Sequence, residues 1–165
     1  VQSFEREAIP HLDAVYRFAL RLTRSSPDAD DLVQETYLRG FPSWHRYTPG
    51  TRAKSWLFTI CRNAFVRQRA RESRRTTLAR AHAHPHDAPD LPDTSAASSP
   101  DAVIGPRILR RLEELPPDFR YAVLLCDLHS IAYAEAAHHL GVPIGTLKRR
   151  LFRGRRMLRR DLGEM

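Results

Sequence analysis

Residues 76–106 set the limits on what this chain can fold into. Five of its twelve prolines fall there (Pro85, Pro89, Pro92, Pro100 and Pro106), with the run Ser95-Ala96-Ala97-Ser98-Ser99. No helical or strand period survives such a stretch, which reads as a flexible tether. The flanks, residues 1–75 and 107–165, are each long enough for one small domain and no more. The tether also divides the charge. Residues 1–80 carry fifteen basic and eight acidic side chains, residues 81–106 none and four (Asp87, Asp90, Asp93, Asp101), and residues 107–165 twelve and seven. The net +8 is therefore two basic modules around an acidic connector. Arg67, Arg69, Arg71, Arg74, Arg75 and Arg80 cluster in the first module, and Lys148 through Arg160 in the second. Solvated faces normally intersperse the signs, so two such clusters point to a polyanionic partner.

Several classes drop out on composition. At 42% hydrophobic the chain is not disordered wholesale. No apolar run approaches the roughly 20 residues of a membrane helix, and no basic segment leads into an apolar one at the start, so neither membrane insertion nor a signal peptide is expected. Cys61 and Cys126 are too few for a disulfide framework and read as small apolar residues of helix interiors. His82, His84 and His86 lie on the tether with no carboxylate or thiol spaced to complete a metal shell, so neither metal nor other cofactor is expected.

The first module reads as helices. Phe4, Ile9, Leu12, Val15, Tyr16, Ala19, Leu20 and Leu22 recur at helical spacing, predicting one amphipathic helix over about 3–24. Ser26-Pro27-Asp28 reads as a helix start, with a hydroxyl cap and proline in the first turn. The helix that follows carries an acidic face and runs into Gly40 and Pro42. Its neighbouring Asp30 and Asp31 diverge by about 100° around the axis, which suits a partner surface and not a metal site. A loop, Trp44 to Gly50, then leads into a long helix opening near Thr51, carrying Trp56, Leu57, Ile60, Ala64 and Phe65 before the arginine block. Trp, Tyr and Arg at that junction suit stacking and clamping of unpaired bases, although Trp56 by itself reads as core.

The second module reads as a short helix over Leu109 and Leu112 stopping at Pro116-Pro117, then a helix over Phe119–Cys126 ending near His129. Tyr133–Leu140, a break at Gly141-Val142-Pro143 and a basic helix opening at Gly145-Thr146 make a helix-turn-helix. The second of those helices would enter the major groove. Thr146, Lys148, Arg149 and Arg150 lie in its first stretch, with Arg153, Arg155 and Arg156 after them. Leu147, Leu151, Met157 and Leu158 are spaced to face the core, and His138 and His139 read as ordinary helix residues.

These residues resemble a known family. Asp28-Ala29-Asp30-Asp31-Leu32-Val33-Gln34-Glu35-Thr36-Tyr37-Leu38 resembles the region 2 signature of bacterial sigma-70-type factors, continued by Gly50-Thr51, Trp56-Leu57-Phe58-Thr59-Ile60 and Arg62-Asn63. Leu115-Pro116, Phe119-Arg120, Tyr133-Ala134-Glu135 and Gly145-Thr146-Leu147-Lys148 with Arg150-Leu151 resemble region 4. With only these two regions and a loose linker, the chain is similar to extracytoplasmic-function (ECF, group IV) sigma factors. The opening Phe4–Asp13 leans towards the subgroup that responds to oxidative or thiol stress. Gly40, Ala136 and Arg149 depart from the residues usual in the family.

The resemblance implies an all-α chain of two helical domains, region 2 over 1–75 and region 4 over 107–165, joined by the linker 76–106. It implies docking on core RNA polymerase (the β′ and β subunits), with Asp31, Gln34, Glu35 and Leu38 on the β′ coiled coil. Tyr47, Thr51, Arg52, Ala53, Arg62, Asn63 and Arg67 would hold the non-template single strand of the −10 element, capturing an unstacked base. Thr146, Lys148, Arg149, Arg150, Arg153, Arg155 and Arg156 would read the −35 duplex, most specifically by Arg or Lys on guanine edges. An anti-sigma factor and a cytoplasmic location, nucleoid-associated when active or held at the membrane by that anti-sigma factor, also follow from the resemblance alone. The rival reading is a stand-alone helix-turn-helix regulator, which would bind duplex DNA without polymerase. A nucleic-acid-processing enzyme would need a convergent Asp/Glu/His set, a P-loop or a zinc motif, and the sequence offers none.

Overall fold

The computed structural model describes residues 2–48, 52–80 and 105–163, and all regular structure among them is helical. The chain divides into two compact units. Thr51, the His82/His84/His86 tract and the acidic residues of the tether lie outside the described residues.

The first unit comprises α1 (Gln2–Ala8), α2 (Leu12–Thr23), α3 (Ser26–Ser43) and α4 (Ala53–Arg80). The single helix expected over 3–24 is interrupted by a 3-10 turn, Ile9–His11. Pro10 is the cause: it has no N–H to donate, and its ring crowds the carbonyl four residues back. The helix start is displaced by one residue from the expected cap. Ser25, in extended conformation, is the N-cap, its hydroxyl accepting from the Asp28 N–H at 3.4 Å. α3 also runs past Gly40 and through Pro42 to Ser43 before a further 3-10 turn, Trp44–Arg46.

α2, α3 and α4 pack on one another around a core of Val15, Phe18, Leu22, Leu32, Leu57, Phe58 and Cys61. The Phe18 and Phe58 rings stack at 4.6 Å. Buried Thr36 satisfies its hydroxyl by donating to the Leu32 carbonyl at 2.7 Å. Cys61 lies in this core, and burial pushes its thiol up to about 12.

Gly40 explains itself at this packing level. A Cβ built there would sit 3.5 Å from Trp56 Cζ3 and 3.7 Å from both Ile60 and Leu57, ordinary van der Waals contact, and its φ is helical. Gly40→Ala should therefore stabilise the unit by about 1 kcal/mol, through helix propensity and lost freedom of the unfolded chain. A lowered denaturant midpoint in chemical unfolding would contradict the space seen beneath Trp56.

α4 does not stop at Arg75. It continues to Arg80, five residues into the stretch read as tether. Nothing in Thr76–Arg80 breaks a helix, and the Thr76 and Thr77 hydroxyls bond back to the Glu72 and Ser73 carbonyls at 2.9 Å.

The second unit comprises α5 (Pro106–Glu114), α6 (Pro117–Val123) with a π-helical turn over Leu124–Leu128, α7 (Tyr133–Leu140) and α8 (Ile144–Gly163). Arg120 closes the end of α5, its guanidinium donating to the Glu113 and Leu115 carbonyls. α5, α6 and α7 all pack on α8. Gly141 makes the turn of the helix-turn-helix: at φ +64 it adopts the left-handed conformation that costs glycine nothing. Val142 N–H then reaches back to the Ala137 carbonyl at 3.0 Å and closes the end of α7.

One expected core residue is out of place. Met157 is 39% exposed, and the core seam of α8 runs instead through Leu147, Leu151 and Gly154. At 100° per residue these three fall within about 60° of one another, while position 157 swings off the seam. A Cβ on Gly154 would lie 3.1 Å from Val123 Cγ2 and 3.4 Å from Phe119 Cβ, so the glycine lets α6 and α8 approach closely.

Candidate nucleic-acid interface

The outer face of α3 carries the first candidate set. Asp31, Gln34 and Leu38, spaced i, i+3 and i+7, are all exposed, and Phe41 extends their line by one more turn. Leu38 is 68% exposed and Phe41 half exposed, large apolar side chains left in water on one strip. Glu35 is only half-buried and is tied within the helix to Arg39, whose Nη2 lies 2.7 Å from its Oε1. Phe41 was not anticipated from sequence, although its spacing from Leu38 was visible there.

The junction from α3 to α4 is an aromatic cluster. Phe4 makes edge contacts with Tyr37, Phe41 and Trp44; Trp44 stacks on Tyr47 at 4.1 Å, and both rings contact Trp56. Tyr37 anchors the cluster by donating to the Ala8 carbonyl at 2.9 Å. Tyr47 is consequently 5% exposed, and Ala53 is buried as well. Tyr47 is thus not the open stacking platform expected of it; its ring is already covered by Trp44 and Trp56.

Tyr47, Arg52 and Ala53 nevertheless line one cleft of about 470 Å³, with Arg6, Glu7, Pro10, His11 and Lys54. Its charge is predominantly positive. Burial, then Arg17 and Arg52, holds the Lys54 ammonium below its ordinary pKa, and burial with Lys54 does the same to His11. Like charges gathered this closely favour an incoming anion, a phosphate in particular. Arg6, His11 and Lys54 are members that sequence reading missed, because the 3-10 turn at Pro10 is what folds residues 6–11 against the start of α4.

Arg62, Asn63 and Arg67 are elsewhere. From Ala53 to Asn63 the helix rises about 15 Å, so these residues belong to a second surface further along α4. Asn63 and Arg67 are exposed there and Arg62 is half-buried. Beyond them Arg69, Arg71, Arg74 and Arg75 are all exposed.

On α8 the seven candidates divide. Lys148, Arg149, Arg153 and Arg156 are exposed, and Arg149 approaches Thr146, with its Nη2 3.4 Å from the hydroxyl. Arg150 and Arg155 are engaged inside the unit. Arg150 pairs with Asp118 of α6 at 2.9 Å. Arg155 donates to both Asp127 oxygens at 2.9 and 2.6 Å and to the Tyr133 hydroxyl at 3.1 Å. Asp127 is in position because the π-helical turn carries it towards α8. These two arginines hold the helix on its own unit.

Among the described residues no three His, Cys, Asp or Glu side chains are grouped to hold a metal, and no helix is long and apolar enough to cross a membrane.

Two helical units, one ending in a helix-turn-helix and both with exposed arginine surfaces, define a modular DNA-binding protein. Residues 9–75 match the family model for Sigma-70 region 2, and residues 106–158 that for Sigma-70, region 4. Across 163 residues the chain is 34% identical to the RNA polymerase sigma factor CarQ of Myxococcus xanthus, covering 99% of this chain and 91% of that one. It is 40% identical to the ECF RNA polymerase sigma factor SigE of Mycolicibacterium smegmatis over 90% of its own length, but spans only 57% of that relative. The sigma factor RpoE of Bartonella quintana, solved in complex with the anti-sigma factor NepR, superposes with a TM-score of 0.78 at 28% identity, covering 99% of each chain. The chain belongs to the ECF family of RNA polymerase sigma factors.

Proposed function

We propose that this protein is a promoter-specificity subunit: it joins core RNA polymerase, engages −10 and −35 promoter elements, and directs transcription initiation. It supplies recognition while the polymerase performs the chemistry. The observation that carries this reading is the exposed strip Asp31, Gln34, Leu38 and Phe41 on the same chain as a helix-turn-helix. Acidic at one end and apolar at the other, it suits docking on the β′ coiled coil.

The cleft lined by Tyr47, Arg52, Ala53 and Lys54 then takes phosphate of the −10 non-template strand, and Asn63 with Arg67 takes bases and phosphate further along α4. Thr146, Lys148, Arg149, Arg153 and Arg156 face the −35 duplex.

RpoE of B. quintana was captured with an anti-sigma factor, and we extend that arrangement to this chain: an anti-sigma partner that hides these same surfaces. A thiol-stress signal would be sensed by that partner. Cys61 is buried and pushed up to about 12, and Cys126 is raised to about 11, first by burial and then by Asp127. Neither is a thiolate near neutral pH, and the thiolate is the reactive form.

Run-off transcription with purified core polymerase on fragmented genomic DNA tests the reading. Discrete transcripts that need both chain and core are expected. Sequence-selective duplex binding by the chain alone, with no core-dependent transcript, would instead make it a stand-alone regulator.

A further inference from the structure

Eight of the twenty residues of α8 are Lys or Arg, and in their midst stands Phe152, 66% exposed. Its neighbours on the outer surface are Lys148 and Arg149 one turn before it and Arg156 one turn after, all exposed. With Tyr133, Lys148, Arg156 and Arg159 it lines a cleft of about 490 Å³ against the start of α7. Leu147 and Gly154 face the core about 140–160° around the helix from Phe152, and Leu151 lies between them and the cleft it shares with the ring, so the exposed ring sits outside the packed seam.

A phenylalanine left in water inside a ring of cations needs a partner that is anionic around an apolar point. An apolar protein surface would strand the surrounding charges. The major groove meets both demands: phosphates line it, and its apolar feature is the 5-methyl group of thymine. We infer that Phe152 reads a thymine methyl, beside the base edge addressed by Lys148 or Arg149. This rests on α8 being the groove-reading helix, and it adds a recognised base feature that arginine contacts alone do not supply.

The test uses holoenzyme assembled from the full chain and bacterial core polymerase. A randomised duplex library is selected twice, once made with thymidine and once with deoxyuridine, which removes only the methyl. The selected thymidine duplex is then titrated with deoxyuridine placed at each T in turn. At one position in the −35 half, deoxyuridine should weaken wild-type binding about fourfold, the worth of one buried methyl-sized group. Phe152→Ala should weaken the thymidine duplex by a similar factor and bind both duplexes equally.

Two results overturn the inference while leaving α8 as the groove reader: a selected sequence with no methyl dependence, or a Phe152→Ala protein that keeps the wild-type thymidine preference. The first would assign the ring to a protein contact, the second would assign the methyl to another side chain. Holoenzyme that selects no sequence at all would defeat the functional reading itself. Because Phe152 is exposed, an unchanged thermal midpoint in Phe152→Ala checks the fold.

Discussion

Leu38→Asp should lower affinity for core RNA polymerase about 100-fold and remove core-dependent transcription, while the protein stays folded. The size of the effect follows from where the residue sits. Leu38 is 68% exposed, so no packing is lost in the free protein. The fold should change by no more than the helix-propensity difference, about 0.5 kcal/mol. In the complex the same side chain would be enclosed between the acidic residues Asp31 and Glu35 on one side and Phe41 on the other. A carboxylate forced into that apolar contact loses the burial of leucine and adds an unpaired charge. Interface residues of this kind cost 2–4 kcal/mol when disrupted, and 2.7 kcal/mol is the 100-fold expected.

Charge reversal at Asp31 is the useful comparison. As an exposed rim charge it should act mainly on association rate, with an effect of a few-fold that shrinks in salt. Leu78→Asp, equally exposed but far along α4, should leave core binding unchanged. Fluorescence titration against core polymerase measures all three. If Leu38→Asp binds core as tightly as the wild type, α3 is not the docking helix.

The parts of this molecule that sequence displayed are those governed by local chemistry. Gly141-Val142-Pro143 marks the turn between α7 and α8 because only glycine adopts φ +64 without strain. The spacing of Asp31, Gln34 and Leu38 puts them on one face whatever lies behind it. Tyr47 is different. Its burial depends on Trp44 and Trp56 arriving from separate elements, and on Phe4 reaching over from α1. Of these partners only Trp44, three residues back, is local to residue 47. The same holds for Arg150 and Arg155, which look like their exposed neighbours along the chain. Their carboxylate partners lie 32 and 28 positions away, and the π-helical turn presenting Asp127 has no local signature. Pro10 is the instructive case in between. The residue that breaks the first helix was visible, but its consequence, a basic cleft of Arg6, His11 and Lys54, required knowing where the broken end folds.

Gly154→Leu should destabilise the second unit by about 3 kcal/mol and abolish initiation that depends on a −35 element. α8 is fixed to its unit by two kinds of contact. Arg150–Asp118 and Arg155–Asp127 lie on either side of Gly154 in the chain, at 2.9 and 2.6 Å, but they are solvent-accessible pairs worth at most about 1 kcal/mol each. They set the register of the helix. Its distance from α6 is set at Gly154, where an added Cβ would meet Val123 at 3.1 Å and the Phe119 backbone carbonyl at 3.5 Å. A methyl group asks the Val123 side chain to yield a few tenths of an ångström, and alanine recovers about 1 kcal/mol of helix propensity. Gly154→Ala should therefore fall within about 1 kcal/mol of wild type. Leucine has no such exit. Its branched end would meet the α6 backbone, and overpacking of this kind costs 1–3 kcal/mol or more. Separating α6 from α8 also pulls Asp118 and Asp127 from their arginines, so the helix loses register as well as distance. Hydrogen exchange in α6 and α8, with α2–α4 as the internal reference, locates the damage. Leucine tolerated as well as alanine would mean that the two helices are held apart by something other than this glycine.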